Sequence, residues 1–141
     1  MTKYPDNCIR GLKSEDWRQP DSNLPASCAF YFDDNSQRSD NCSELSINWE
    51  DDKKALQFTL NQKRQDDTPQ FKIGVVRLVK SSIDRLNKRP AFGGALSYER
   101  KSLPDNPYHG NILLSKTIDR RRMKSLIAPA LAVESSSIIY K

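Results

Sequence analysis

Phe71-Lys-Ile-Gly-Val-Val-Arg-Leu-Val-Lys80 is the longest apolar, β-branched run of the chain. Branching at Cβ restricts χ1 and suits a pleated surface, so Val75, Val76 and Val79 favour extended backbone. Ile73, Val75 and Val76 come close to a continuous apolar block, the pattern of a strand covered on both faces. A central strand over about residues 71–80 is the expectation, with the rest of the sheet built outward from it.

On its N-terminal side, Glu44-Leu-Ser-Ile-Asn-Trp49 alternates strictly and reads as a half-buried strand. Cys28-Ala-Phe-Tyr-Phe-Asp33 reads as another strand, and the polar stretch 34–43 as an exposed loop. Residues 51–64 open on Asp51-Asp52 and close on Lys63-Arg64, the polarity a helix dipole favours. Helix is the reading, although Leu56, Phe58 and Leu60 also alternate as a hairpin returning from Trp49 would. Residues 1–27, with Pro5, Pro20 and Pro25, read as an irregular lead-in. Within it, Cys8–Leu12 forms a short strand or bend, and Ser14 caps a helical turn that tucks Trp17 against the core.

On the C-terminal side, Ser81–Arg89 reads as a short helix opened by Ser81 and ended by Pro90. Ala95–Glu99 and Asn111–Leu114 read as strands. Thr117 to about Val133 reads as a C-terminal helix that Pro129 kinks or divides, with Ile118, Met123, Leu126, Ile127, Ala130 and Leu131 facing inward. The sum is an α+β single domain over residues 1–141. It has a mixed or antiparallel sheet, helices on one side, and a C-terminal helix and tail over 117–141.

No run reaches the roughly 18 apolar residues that span a bilayer. The N-terminus shows no apolar signal segment, and three cysteines leave one unpaired in any disulfide scheme. A cytoplasmic protein without membrane association is the expectation. The net charge of +5 is divided unevenly. Residues 1–70 hold nine basic against thirteen acidic side chains, and residues 71–141 hold fourteen against five. Either the two halves present surfaces of opposite sign, or they interleave and cancel.

Signatures of chemistry are sparse. No Walker loop, Gly-x-Gly-x-x-Gly, nucleophile elbow or zinc-finger spacing is present. The acidic pairs lack the alternation of a calcium loop, and Cys8, Cys28, Cys42 and His109 lack a Cys-x-x-Cys anchor. No metal or cofactor is expected. Arg10, Glu50, Tyr108 and His109 are the candidate catalytic residues. Arg10 offers a fork for phosphate, Glu50 a base, and His109 a proton carrier beside Tyr108, for an anionic, nucleotide-like ligand. The alternative for His109 is an ordinary turn histidine. Lys116, Arg120, Arg121, Arg122 and Lys124 form a basic row that suits nucleic-acid phosphates, without aromatic residues for base stacking. With catalytic motifs missing and Ile138-Ile139-Tyr140 apolar near the chain end, the leading expectation is a non-enzymatic protein that binds a protein partner. Nucleic-acid binding and a small enzyme are the alternatives.

Overall fold

The Val-Val block does form a strand, but it does not sit at the centre of the sheet. The computed structural model describes residues 4–115 and 119–141. The strands are β1 (Asn7–Leu12), β2 (Asp33–Asp34), β3 (Ser43–Trp49), β4 (Gly74–Val79), β5 (Leu96–Arg100) and β6 (His109–Leu114). The helices are α1 (Lys54–Leu60), α2 (Lys80–Asn87) and α3 (Arg120–Glu134). All pairings are antiparallel, in the order β4-β1-β3-β6-β5, with β2 alongside β3. This is a small single α+β domain with a C-terminal helix. β4 is an end strand, and the central places belong to β1 and β3.

The reason lies in what an apolar block reports. Val75, Val76 and Leu78 are fully buried because both faces of β4 are covered, whatever its place in the order. Val75 joins Ile9 of β1 with Ala55 and Leu60 of α1 on one face. Val76 and Leu78 join Ile83 and Leu86 of α2 and Ile127 and Leu131 of α3 on the other. Helices therefore cover both faces of the sheet rather than one. The outer edge of β4 is closed by the C-terminal tail. Val75 N donates to Ile139 O at 2.9 Å and Ile139 N to Val75 O at 2.8 Å. Arg77 N donates to Ser136 Oγ at 2.9 Å. Ile138 is 4% exposed within the main core. The apolar tail thus packs on its own sheet, which satisfies backbone groups that an open edge would leave unpaired.

The lead-in contains the strand on which the sheet turns. β1 is buried from Cys8 to Leu12 and pairs with β4 along its whole length. Arg10 and Gly11 interrupt its apolar pattern, which is why it reads weakly from sequence. Gly11 is required by Phe71: a Cβ there would lie 2.2 Å from the Phe71 ring. Glu15–Trp17 forms a 3-10 turn, but Ser14 Oγ donates to Asp16 Oδ1 at 2.6 Å instead of capping it. The expected strand at 28–33 is instead a 3-10 turn, Ser27–Phe30, followed by the two residues of β2. Phe30 and Phe32 are fully buried while Tyr31 is 41% exposed. Phe30 and Phe32 serve the main core rather than a ladder, and the turn Ser27–Phe30 packs against α3.

Residues 51–64 contain the helix, α1, and not the hairpin. Asp52 Oδ1 accepts from Lys54 N at 2.8 Å and opens it. α2 begins at Lys80 straight from β4, so Ser81 lies inside the helix and does not cap it. α3 runs unbroken through Pro129. Asp119 accepts from Arg122 N at its start, and Leu126 is exposed rather than inward. Thr117 and Ile118 of the predicted helix lie outside the described residues. Among those described, no helix is long and apolar enough to cross a membrane.

The polar stretch 34–43 is pinned, not free. Arg38, with its side chain 9% exposed, bonds Glu99 at 2.7 Å, Asp40 at 2.8 Å and Glu44 at 2.9 Å. Hydrogen bonding to Arg38 holds the Asp40 and Glu99 carboxyls below the usual carboxylate range. A carboxyl lowered on folding contributes stability above its unfolded pKa, about 3.9 for Asp and 4.3 for Glu, and loses it as pH falls through the folded value. We expect thermal stability to decline on acidification below about pH 4. In Arg38→Gln this acid limb should be flatter. Melting curves from pH 7 to pH 2.5 check this, and an unchanged limb in the variant refutes the assignment.

Candidate functional site: a cleft where the sheet divides

Strand β3 changes its neighbour partway along. Its C-terminal end pairs with β1 through Cys8↔Trp49 and Ile9↔Asn48. Its N-terminal end pairs with β2 through Asp33↔Glu44 and Asp34↔Ser43. Leu45, Ser46 and Ile47 lie between, with no strand on that side. Arg10 fills the gap. Its Nη1 donates to Ser46 O at 2.8 Å and its Nε to Ala29 O at 3.0 Å. The guanidinium lies over Trp17, 5.1 Å from the ring centroid, a cation–π arrangement.

Arg10 is only 8% exposed and forms no ion pair among the described residues. Burial lowers its pKa to about 10, with the charge of Asp33 opposing the shift. Among the described residues Nη2 makes no hydrogen bond, and it is not sealed from solvent. Arg10 lines a cleft of about 460 Å³, within the size range of small-molecule sites. Its floor is the divided sheet, Ile9 to Gly11 on one bank and Ser46 to Asn48 on the other. Trp17, Tyr31 and Phe71 stand at its sides.

The wall opposite is held by a chain of buried polar groups. Asn48 Nδ2 donates to Thr59 Oγ1 at 2.8 Å and to Gln62 Oε1 at 2.9 Å. Asn106 Nδ2 donates to Asn48 Oδ1 at 2.9 Å, and Thr59 Oγ1 to Ala55 O at 2.8 Å. Buried amides left unpaired are costly, so this chain fixes α1 and the 101–108 loop against β3. Gln62 lines the cleft, and among the described residues its Nε2 makes no hydrogen bond.

Of the four candidate catalytic residues, Arg10 and His109 line this cleft. His109 is the first residue of β6, paired with Asn48, rather than a loop residue. Its Nδ1 lies 3.0 Å from Lys101 O. In the neutral ring the proton then sits on Nδ1, which leaves Nε2 as an acceptor. Glu50 lies elsewhere, gripping Arg77 through both carboxylate oxygens at 2.8 Å. Tyr108 is also apart: its hydroxyl bonds Asp52 Oδ1 at 3.0 Å and its ring packs edge-on to Phe58. The four do not form one pocket.

The basic row is divided too. Lys124 is 7% exposed and donates to Asp34 Oδ1 at 2.9 Å, with its ammonium over Tyr31. Arg120 donates to Asn41 O. Arg121 and Arg122 are exposed, and Lys116 lies outside the described residues. Among the described residues no group of three or more His, Cys, Asp or Glu side chains is placed to hold a metal ion. The cysteines are free, and burial pushes the Cys8 thiol up to about 12, with the Glu50 charge adding to it.

Fold and cleft together define an antiparallel α+β domain with a polar cleft beside a split in its sheet. No protein-family model, no curated protein and no solved structure matches the chain.

Proposed function

We propose that this chain is a binding protein for a small anionic molecule, anchored by Arg10 in the cleft between β1 and β3. The observation that carries the reading is a nine-tenths buried guanidinium that lines the cleft and, among the described residues, has no carboxylate hydrogen-bonded to it, Asp33 acting on it only through its charge. A buried charge without a hydrogen-bonded counter-ion is unfavourable, and an incoming anion relieves it through charge-assisted hydrogen bonds. Binding is favoured over catalysis because Glu50, the candidate base, is paired with Arg77 away from His109. The protein-partner and nucleic-acid readings each lose one supporting feature, while Arg121 and Arg122 remain exposed. The apolar tail is spent on β4 and Lys124 on Asp34.

The test is thermal shift with carboxylates and phosphate esters at constant ionic strength. A ligand at a hundred times its dissociation constant should stabilise the protein by about 2.7 kcal/mol, a rise of several degrees. Arg10→Lys keeps the charge but loses the planar fork, and should weaken binding about tenfold or more. If no anion raises the melting temperature above the ionic-strength control, the reading fails.

A further inference from the structure

The groups around Arg10 say more about the ligand. We propose that the cleft takes a hydroxylated monocarboxylate, a sugar acid in chemical class, with its carboxylate on Arg10; this rests on the anion-binding reading above.

Charge is the first argument. Arg10 and Lys13 line the cleft with Asp33 and Asp105, so the formal charges of the lining cancel when His109 is neutral. The charge of Asp33 already reaches Arg10. A dianionic phosphate would meet that carboxylate as well as the guanidinium, whereas a single carboxylate matches the one buried cation.

Hydrogen-bonding capacity is the second. Asp33 and Asp105 are exposed residues that line the cleft and, among the described residues, accept no hydrogen bond at their carboxylates, and His109 offers a bare Nε2. These are acceptors, and they call for donors on the ligand. Gln62 Nε2 is an unengaged donor, and the Gln70 side-chain amide supplies one donor group and one acceptor. Free groups of both kinds suit hydroxyls, which donate and accept at once. A plain aryl or alkyl carboxylate would leave the acceptors unanswered.

Ring faces are the third. The guanidinium lies over one face of Trp17 and the Lys124 ammonium over one face of Tyr31, and Phe71 lies across Gly11; all three rings line the cleft. Flat apolar faces beside polar groups suit a sugar ring, whose C–H faces stack while its hydroxyls point outward.

Calorimetric titration with D-glucuronate, glucose, glucose 6-phosphate and benzoate at fixed ionic strength tests this. Glucuronate should bind about tenfold tighter than each of the others. Asp105→Asn and Gln70→Ala remove side-chain groups with no protein partner. Each should weaken glucuronate about fivefold, with benzoate unaffected and the melting temperature of the free protein unchanged. Exposed Cys28 also lines the cleft, so saturating glucuronate should slow its alkylation by iodoacetamide in a Cys42→Ser background. If glucose, benzoate or glucose 6-phosphate binds as tightly as glucuronate, the sugar-acid assignment is overturned. Should benzoate or glucose 6-phosphate be the tighter ligand and depend on Arg10, the anion-binding reading still stands. If none of the four binds and Cys28 alkylation is unprotected, the assignment fails, and the anion reading fails with it if Arg10→Lys and the parent also respond alike to the wider anion panel.

Discussion

Gly110→Ala is expected to lower the melting temperature by about 10 °C, although it adds one methyl group. Gly110 sits in β6 opposite Ile47 and Arg100. A Cβ there would lie 2.3 Å from Trp49 Nε1 and 2.4 Å from Glu99 O. Those two atoms are themselves hydrogen-bonded at 3.1 Å, so the methyl would drive into a bond spanning the glycine. Overpacking costs about 1–3 kcal/mol, and a buried indole N–H stripped of its acceptor costs about 1–3 kcal/mol more. About 3 kcal/mol in total is the expectation. Trp49→Phe in the same chain should not restore stability, because the Glu99 carbonyl is backbone and remains in place. Thermal denaturation of the single and double variants decides. A Gly110→Ala protein melting within about 2 °C of the parent would show that β6 can shift to make room.

Ending the chain after Ser135 is expected to have an effect at least as large. It removes the almost fully buried Ile138, worth about 2–5 kcal/mol by analogy with large-to-small core substitutions. It also removes the Ile139 bridge to Val75 and leaves the β4 edge open. An open, apolar edge strand pairs with other copies. The shortened protein should therefore melt far lower and associate with rising concentration. Removing only Tyr140 and Lys141 is the control. It deletes a half-exposed ring bonded to Asn23 and should cost about 1 kcal/mol or less. Light scattering beside thermal melts checks both. A monomer of parental stability after truncation at Ser135 would refute the clamp.

Local patterns were legible where one element answers to one kind of burial. The Leu45-Ile47-Trp49 alternation reads directly as β3, and the apolar spacing of Ile83 and Leu86 as α2. The apolar block of β4 was legible as a strand but not as an end strand, because the covering tail lies some sixty residues further on. β1 was obscured by Arg10 and Gly11, which sit there because the sheet divides beside them and because Phe71 lies across the glycine. Arg10 could be singled out as a phosphate-binding type of side chain. Its lack of a carboxylate partner is a property of the folded chain alone. Glu50 and Tyr108 were grouped with it by residue type, but Arg77 and Asp52 claim them across 27 and 56 residues of sequence. Asn48 looked like the solvent phase of an alternating strand; the signal missed was that Thr59 and Gln62 present polar groups at helical spacing, ready to meet it.

The position of β1 between β3 and β4 also constrains how the chain can fold as it is made. β1 precedes both of its flanking strands in the chain, so neither exists when β1 leaves the ribosome, and Ile139, which closes the edge of β4, is made after every strand described. At about 5–20 residues per second, roughly 7 to 25 s separate the emergence of β1 from that of Ile139. From the synthesis of β4 to the end of that interval its outer edge stays open, and an open edge strand is a template for pairing with other chains, so the growing polypeptide is exposed to association until Ile139 has been made.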